Sequence, residues 1–166
     1  MEQKTAYSEN YISEILSSVK TIAMIGASND PTKFSYGVLR VLHEQGYKMY
    51  PVNPKKEVKI IRKIKVYNSI YDIKDRIDMV QVFRKSEALY EIAQDSIKIG
   101  AKVLWGQIGV YDKKAEILAK ENGLKVVMDR CPKIELFRPF WTPKLNQKIW
   151  PNPLTLSFWT EKKQSK

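Results

Sequence analysis

The chain has 166 residues, 43% of them hydrophobic, and 29 lysines and arginines set against 18 aspartates and glutamates give a formal charge of +11. That length suits one domain with a sizeable core, and no apolar run approaches the ~20 residues that span a bilayer. The single cysteine, Cys131, allows no internal disulfide, and Met1 to Asn10 lacks the apolar stretch of a secretory signal, so a cytoplasmic protein with no membrane role is expected.

Along the chain, Ser8 is placed to cap a helix reaching about Val19, with Tyr11, Ile12, Ile15 and Leu16 on one side. Thr21 to Ile25 is a short apolar run that ends at Gly26 and reads as a strand buried on both faces. A polar loop leads to a helix from Ser35 to Gln45, which Gly46 ends. Tyr47 to Val52 is the second strand, and Lys55 to Lys65 is either a small extra strand or a basic loop. Ser69 to Lys74 reads as a helical turn, and Ile77 to Phe83 as the third strand. Ser86 is expected to cap a helix running to Ile99, followed by a fourth strand, Lys102 to Trp105. Asp112 caps the next helix, Gly123 ends it, and Lys125 to Met128 is the fifth strand.

Strands that alternate with helices of this length imply βαβ units. The expected fold is α/β, a doubly wound Rossmann-like domain over residues 1–138 with a five-stranded, mainly parallel sheet. Residues 139–166 carry Trp141, Trp150, Phe158 and Trp159 among Pro139, Pro143, Pro151 and Pro153. Proline forbids a long helix there, so an irregular arm packed on the domain or on a partner is expected. So much aromatic surface also suggests a homodimer. Lysines are scattered over much of the chain, which favours a solvated surface over a nucleic-acid footprint for most of the charge.

Open parallel sheets bind ligands beyond the carboxyl ends of their strands. In this chain those ends carry Gly26-Ala27-Ser28, Asn53-Pro54, Phe83-Arg84, Gly106-Gln107-Ile108-Gly109 and Asp129-Arg130-Cys131. Gly26 lets backbone approach a phosphate. The helix that starts near Ser35 and Tyr36 offers unpaired N–H groups to an anion. Ser28 and Ser35 add hydroxyls, and Lys33 adds a charge. Arg84 and Arg130 either steer a second phosphate or hold their own loops, and Gly106 and Gly109 either leave room for a ligand or make turns. The dinucleotide fingerprint Gly-x-Gly-x-x-Gly is missing, and the second strand ends at Asn53 rather than an acid. A ligand phosphorylated on its adenosine ribose is therefore admitted, and NAD is disfavoured.

Ile22-Ala-Met-Ile-Gly-Ala-Ser28, Pro31, Ser35-Tyr36, Tyr50-Pro-Val-Asn-Pro54, Val82-Phe-Arg84, Trp105, Gln107-Ile-Gly-Val110 and Val126-Val-Met-Asp-Arg-Cys-Pro-Lys-Ile-Glu135 together resemble small stand-alone CoA-binding proteins. These are similar to the CoA-binding domain of the succinyl-CoA synthetase alpha subunit. The resemblance runs over about residues 15–138, in order. It implies coenzyme A as cofactor, with Gly26, Ala27 and Ser28 at the pyrophosphate and Lys33 at the ribose phosphate. It also implies Asn53 and Pro54 near the adenosine, and Phe83, Arg84, Gln107 and Gly109 along the cleft. Gln81 departs from the usual Asp, and Gly37 from the commoner residue.

Chemistry within this chain is not expected. The synthetase uses a phosphorylated histidine in a second domain, and the one histidine here, His43, falls in a predicted helix. Cys131 sits between Arg130 and Pro132 close to a predicted helix start. It is either a reactive thiol, open to a mixed disulfide with coenzyme A, or an inert cysteine packing a turn. The favoured reading is a non-catalytic carrier or regulatory protein for coenzyme A or an acyl-CoA. The alternatives are an enzyme or enzyme subunit acting on CoA thioesters and, last, a basic nucleic-acid binder, for which the chain has no recognition motif.

Overall fold

A computed structural model of the chain describes residues 6–138. The arm expected at 139–166 lies outside the described residues. The strands are β1 (Thr21–Ile25), β2 (Lys48–Val52), β3 (Ile60–Ile61), β4 (Ile64–Lys65), β5 (Met79–Val82), β6 (Val103–Gly106) and β7 (Lys125–Val127). Five of them form one all-parallel sheet in the order β2-β1-β5-β6-β7, while β3 and β4 make a separate antiparallel hairpin. The fold is the expected doubly wound, Rossmann-like α/β. The chain adds β2 on one side of β1 and then returns to add β5, β6 and β7 on the other. The switch point therefore lies between β1 and β5, where such sheets hold ligands.

The helices are α1 (Glu9–Ser18), α2 (Phe34–Glu44), α3 (Leu89–Lys98), α4 (Lys113–Glu121) and α5 (Pro132–Leu136). Successive strand residues point to opposite faces, so the sheet divides two apolar cores. Ile22, Met24, Met49, Met79, Val103, Trp105 and Val127 pack under α1, α2 and α5. Ala23, Tyr50, Val80, Val82, Leu104 and Val126 pack under α3 and α4. The central strands are apolar on both faces because both are covered, apart from the buried Gln81 in β5. No helix among the described residues is long and apolar enough to cross a membrane.

Local chemistry explains most boundaries. Ser8 and Asp112 cap α1 and α4, accepting from the Tyr11 and Ala115 N–H groups. Ser86 does not cap α3 as expected. A short 3-10 turn, Ser86–Ala88, precedes that helix, and the Ser86 hydroxyl instead donates to the Gly109 carbonyl and accepts from the Tyr111 N–H. It therefore braces the loop after β6. The basic stretch 55–65 is a loop that ends in the β3–β4 hairpin, whose two turn residues, Arg62 and Lys63, both have positive φ. Twin positive φ values match the twist of flanking strands in a two-residue hairpin. The Arg62 guanidinium lies 5.6 Å from the Tyr36 ring centre, which joins the hairpin to the start of α2.

Trp105 is fully buried, and its indole N–H donates to the Arg130 carbonyl at 2.9 Å. This bond ties the end of β6 to the loop that follows β7. In Trp105→Phe the ring volume largely persists and a buried carbonyl loses its donor. The expected cost is about 1–3 kcal/mol of stability, read as a lower urea midpoint at unchanged slope.

Candidate functional site

Besides a broad, shallow depression over Phe83 to Ala88, two clefts flank the carboxyl ends of β1 and β5, one on each face of the sheet. The larger, about 610 Å³, lies against α2 and α5, with Lys33, Phe34, Phe83, Gln107, Cys131 and Ile134 among its walls. The smaller, about 350 Å³, lies against α3, with Gly26, Pro54, Asn68, Arg84, Glu91 and Asp95 among its walls. Phe83 and Arg84 are consecutive, and each lines a different cleft. The crevice between β1 and β5 is thus where the two meet.

Gly26 makes that meeting possible. Its φ is +87°, and a Cβ there would stand 2.6 Å from the Phe83 carbonyl oxygen. Only glycine tolerates both the conformation and the contact. Its N–H does not remain for a phosphate, however. The N–H groups of Gly26 and Ala27 donate to the Val52 carbonyl at 3.1 and 3.2 Å. The feature of this edge that suits an anion is instead the start of α2. Lys33 occupies the N-cap position without a side-chain cap bond, and the Tyr36 N–H donates to the Lys33 carbonyl at 3.1 Å, so it is Phe34 and Ser35 that begin this 11-residue helix without a side-chain cap, beside a cation.

The loop that aims α2 is held by short polar bonds. The Ser28 hydroxyl accepts from the Asp30 N–H at 3.1 Å, and Asp30 Oδ1 accepts from the N–H and the hydroxyl of Thr32 at 2.9 and 2.7 Å. Those two donors, with a smaller contribution from the Lys33 charge, hold the Asp30 carboxyl below the usual carboxylate range. Asn53 is a brace: its Nδ2 donates to the Ala27 carbonyl at 2.8 Å, and its Oδ1 accepts from the Lys55 N–H at 2.9 Å. Asn68, which sequence reasoning missed, donates to the Asn53 and Lys55 carbonyls and fixes the Pro54 loop from the other side.

The expected site residues thus divide. Lys33, Phe83 and Gln107 line the larger cleft with Cys131, and Gly26, Pro54 and Arg84 line the smaller. Lys33 and Pro54 fall on different clefts, so Lys33 does not stand beside the expected adenosine residues. Ser35 is buried and lines neither cleft, and half-buried Tyr36 packs against the core. Gly109 serves a turn: its φ is +84°, and its N–H donates to Asp129 Oδ1 at 2.7 Å. Arg130 turns inward, pairing with Glu135 at 3.3 Å and lying 5.4 Å from the Tyr7 ring centre. Of the two uses open to it, it holds its own loop. His43 is exposed in the last turn of α2, at the end away from the cleft.

Sequence reasoning also missed Phe34, Gly37, Val38, Val110 and Ile134 in the larger cleft, and Glu91 and Asp95 in the smaller. Asp95 Oδ1 accepts from the Tyr71 hydroxyl at 2.6 Å, and that bond pushes the phenol up to about 12. Tyr71 therefore stays a neutral donor across the physiological range.

Residues 20–136 match the family described as CoA binding domain. The chain belongs to the CoA-binding domain family. Its relatives in this family differ widely in size. It is 37% identical over 123 residues to the Bacillus subtilis protein YneT, covering 74% of this chain and 90% of that one. It is 35% identical over 159 residues to the alpha subunit of ADP-forming acetate–CoA ligase I of Pyrococcus furiosus, covering 86% of this chain and 34% of the subunit. Among solved structures, a hypothetical protein of Pyrococcus horikoshii OT3 superposes with a TM-score of 0.75 at 37% identity, covering 82% of this chain and 96% of that one.

Within this CoA-binding domain, Gly26→Ala places a methyl group against the Phe83 carbonyl and strains a positive φ. The expected loss is about 2 kcal/mol or more, measured by urea denaturation. Gly37→Ala, inside α2 with open space around its Cβ position, is expected to gain about 0.5–1 kcal/mol in the same assay.

Proposed function

We propose that the chain binds coenzyme A or an acyl-CoA along the carboxyl edge of the sheet, as a carrier or regulatory protein without chemistry of its own. The observation that carries this reading is the pair of clefts meeting at Gly26, Phe83 and Arg84. A long ligand with a charged middle suits that layout. The adenosine half lies against Pro54 in the smaller cleft, with Arg84 at its ribose phosphate. The diphosphate crosses Gly26 toward the uncapped start of α2 and Lys33. The pantetheine arm runs into the larger cleft toward Cys131. Family membership supports the ligand, and Asn53 in place of an acid supports a phosphorylated ribose.

The described residues lining the larger cleft include no histidine and no carboxylate, which supports binding over acid–base chemistry. A second reading, a subunit of an enzyme acting on CoA thioesters, draws support from the ligase alpha subunit, of which this chain spans 34%. In that case partner chains supply the chemistry. Turnover of an acyl-CoA by the purified chain alone would sink the non-catalytic reading.

Calorimetric titration of the reduced protein tests the site. Coenzyme A is expected to bind, dephospho-CoA about tenfold more weakly, and NAD more weakly still, since a charged hydrogen bond contributes about 1.5–3 kcal/mol. Arg84→Ala is expected to weaken coenzyme A and leave dephospho-CoA unchanged, while Lys33→Ala weakens both alike. Folded protein that takes up no coenzyme A overturns the proposal.

A further inference from the structure

The larger cleft has a wall unlike the rest of the binding edge. Its floor is Val38, Val110 and Cys131, each at most 7% exposed. Its rim is Phe34, Ile108 and Ile134, which are 87%, 42% and 49% exposed. Seven large hydrophobic side chains are exposed among the described residues, and three of them stand at this one mouth. Scattered apolar residues need no explanation, but a ring of them around a cavity marks a binding surface.

Gly37 points the same way. It lies inside α2 with no positive φ, and nothing stands within 4 Å of where its Cβ would be. Neither backbone conformation nor packing within the protein calls for glycine, which is among the poorest helix formers. Its effect is to leave a bare strip of helix along the cleft wall. The polar groups of the same cleft are Thr32, Lys33, Lys133 and Gln107, with Lys33 and Lys133 next in the chain to Phe34 and Ile134. The Gln81 side-chain N–H donates to Gln107 Oε1 at 3.0 Å, so Gln107 keeps its own amide N–H for a ligand carbonyl. A thioester has a carbonyl at that point, and a free thiol has none.

We propose that the larger cleft is an acyl pocket, and that the preferred ligand is a CoA thioester of an apolar acid longer than acetate. The proposal rests on the reading of this edge as a CoA site. In it, the acyl chain lies along Gly37 between Phe34 and Ile134, with the thioester carbonyl at Gln107.

The test is calorimetric titration of the reduced full chain with coenzyme A and with its acetyl, hexanoyl and octanoyl thioesters. Affinity is expected to rise about fourfold per buried methylene, and octanoyl-CoA to exceed acetyl-CoA by at least tenfold. Gly37→Leu fills the strip and is expected to bring the octanoyl-to-acetyl ratio near one, in a protein that melts no lower than the parent. Phe34→Ala, at an exposed position that cannot disturb the core, is expected to lower the same ratio severalfold. Equal affinity for acetyl-CoA and octanoyl-CoA, with coenzyme A still bound, overturns the acyl pocket and leaves the CoA site standing. A chain-length gain that persists in both variants puts the acyl group elsewhere and also overturns it. No binding of coenzyme A or any thioester overturns the CoA reading itself.

Discussion

The close passage of Gly26 and the Phe83 carbonyl sets the geometry of the whole edge. β1 and β5 are the two strands between which the chain reverses its direction of growth, and they stay hydrogen-bonded until Phe83 donates its N–H to the Ile25 carbonyl at 2.8 Å. Beyond that bond the loops diverge, one toward α2 and one toward α3. A side chain at residue 26 would wedge them apart. With glycine there, the loops leave as a narrow crevice with a cleft on either side. Everything the site does depends on this spacing, because it decides whether one ligand can touch both clefts.

The anion-binding capacity of this edge follows from what is already bonded. The Val52 carbonyl takes the N–H groups of Gly26 and Ala27, which extends the β1–β2 ladder past the strand end. The Asp30 turn takes the N–H of Thr32, and the Asp30 carbonyl takes that of Lys33. The Lys33 carbonyl takes the N–H of Tyr36, so what remains is the very start of α2 at Phe34 and Ser35, with the positive end of its dipole and the Lys33 side chain. The polar loop therefore does not cradle phosphate with its glycine. It positions a helix whose start suits an anion.

Much of this was legible in the sequence, for reasons that can be stated residue by residue. Thr21 to Ile25 stands out as a strand because a run of apolar residues between Lys20 and Gly26 leaves no polar face. Asp112 announces α4 because its cap is a local bond, three residues in reach. Ser86 misleads because its partners, Gly109 and Tyr111, are more than twenty residues away. Asn53 and Arg130 carry the right chemistry for a ligand, and tertiary contacts claim it first. The apolar wall was hidden for a different reason. Phe34 and Ile134 look like ordinary helix residues until α2 and α5 are seen to face each other across an opening.

Charge is distributed in a way that matches an amphiphile with an anionic head. Lys33 and Lys133 stand at the rim of the larger cleft, while the carboxylates near its floor are turned aside. Asp129 holds the Gly109 N–H, and Glu135, only 2% exposed, is bracketed by Arg130 and Arg138 at 3.3 and 2.9 Å. Beneath Gln107 lies Gln81, fully buried, with an Oε1 that no described residue donates to. A neutral amide in that position costs about 1–3 kcal/mol for its unmet bond, whereas an unpaired carboxylate there would cost far more or take up a proton. The amide keeps the floor uncharged without filling it. Cations at the mouth and a neutral, largely apolar interior favour a ligand that carries its charge at one end and its carbon chain at the other.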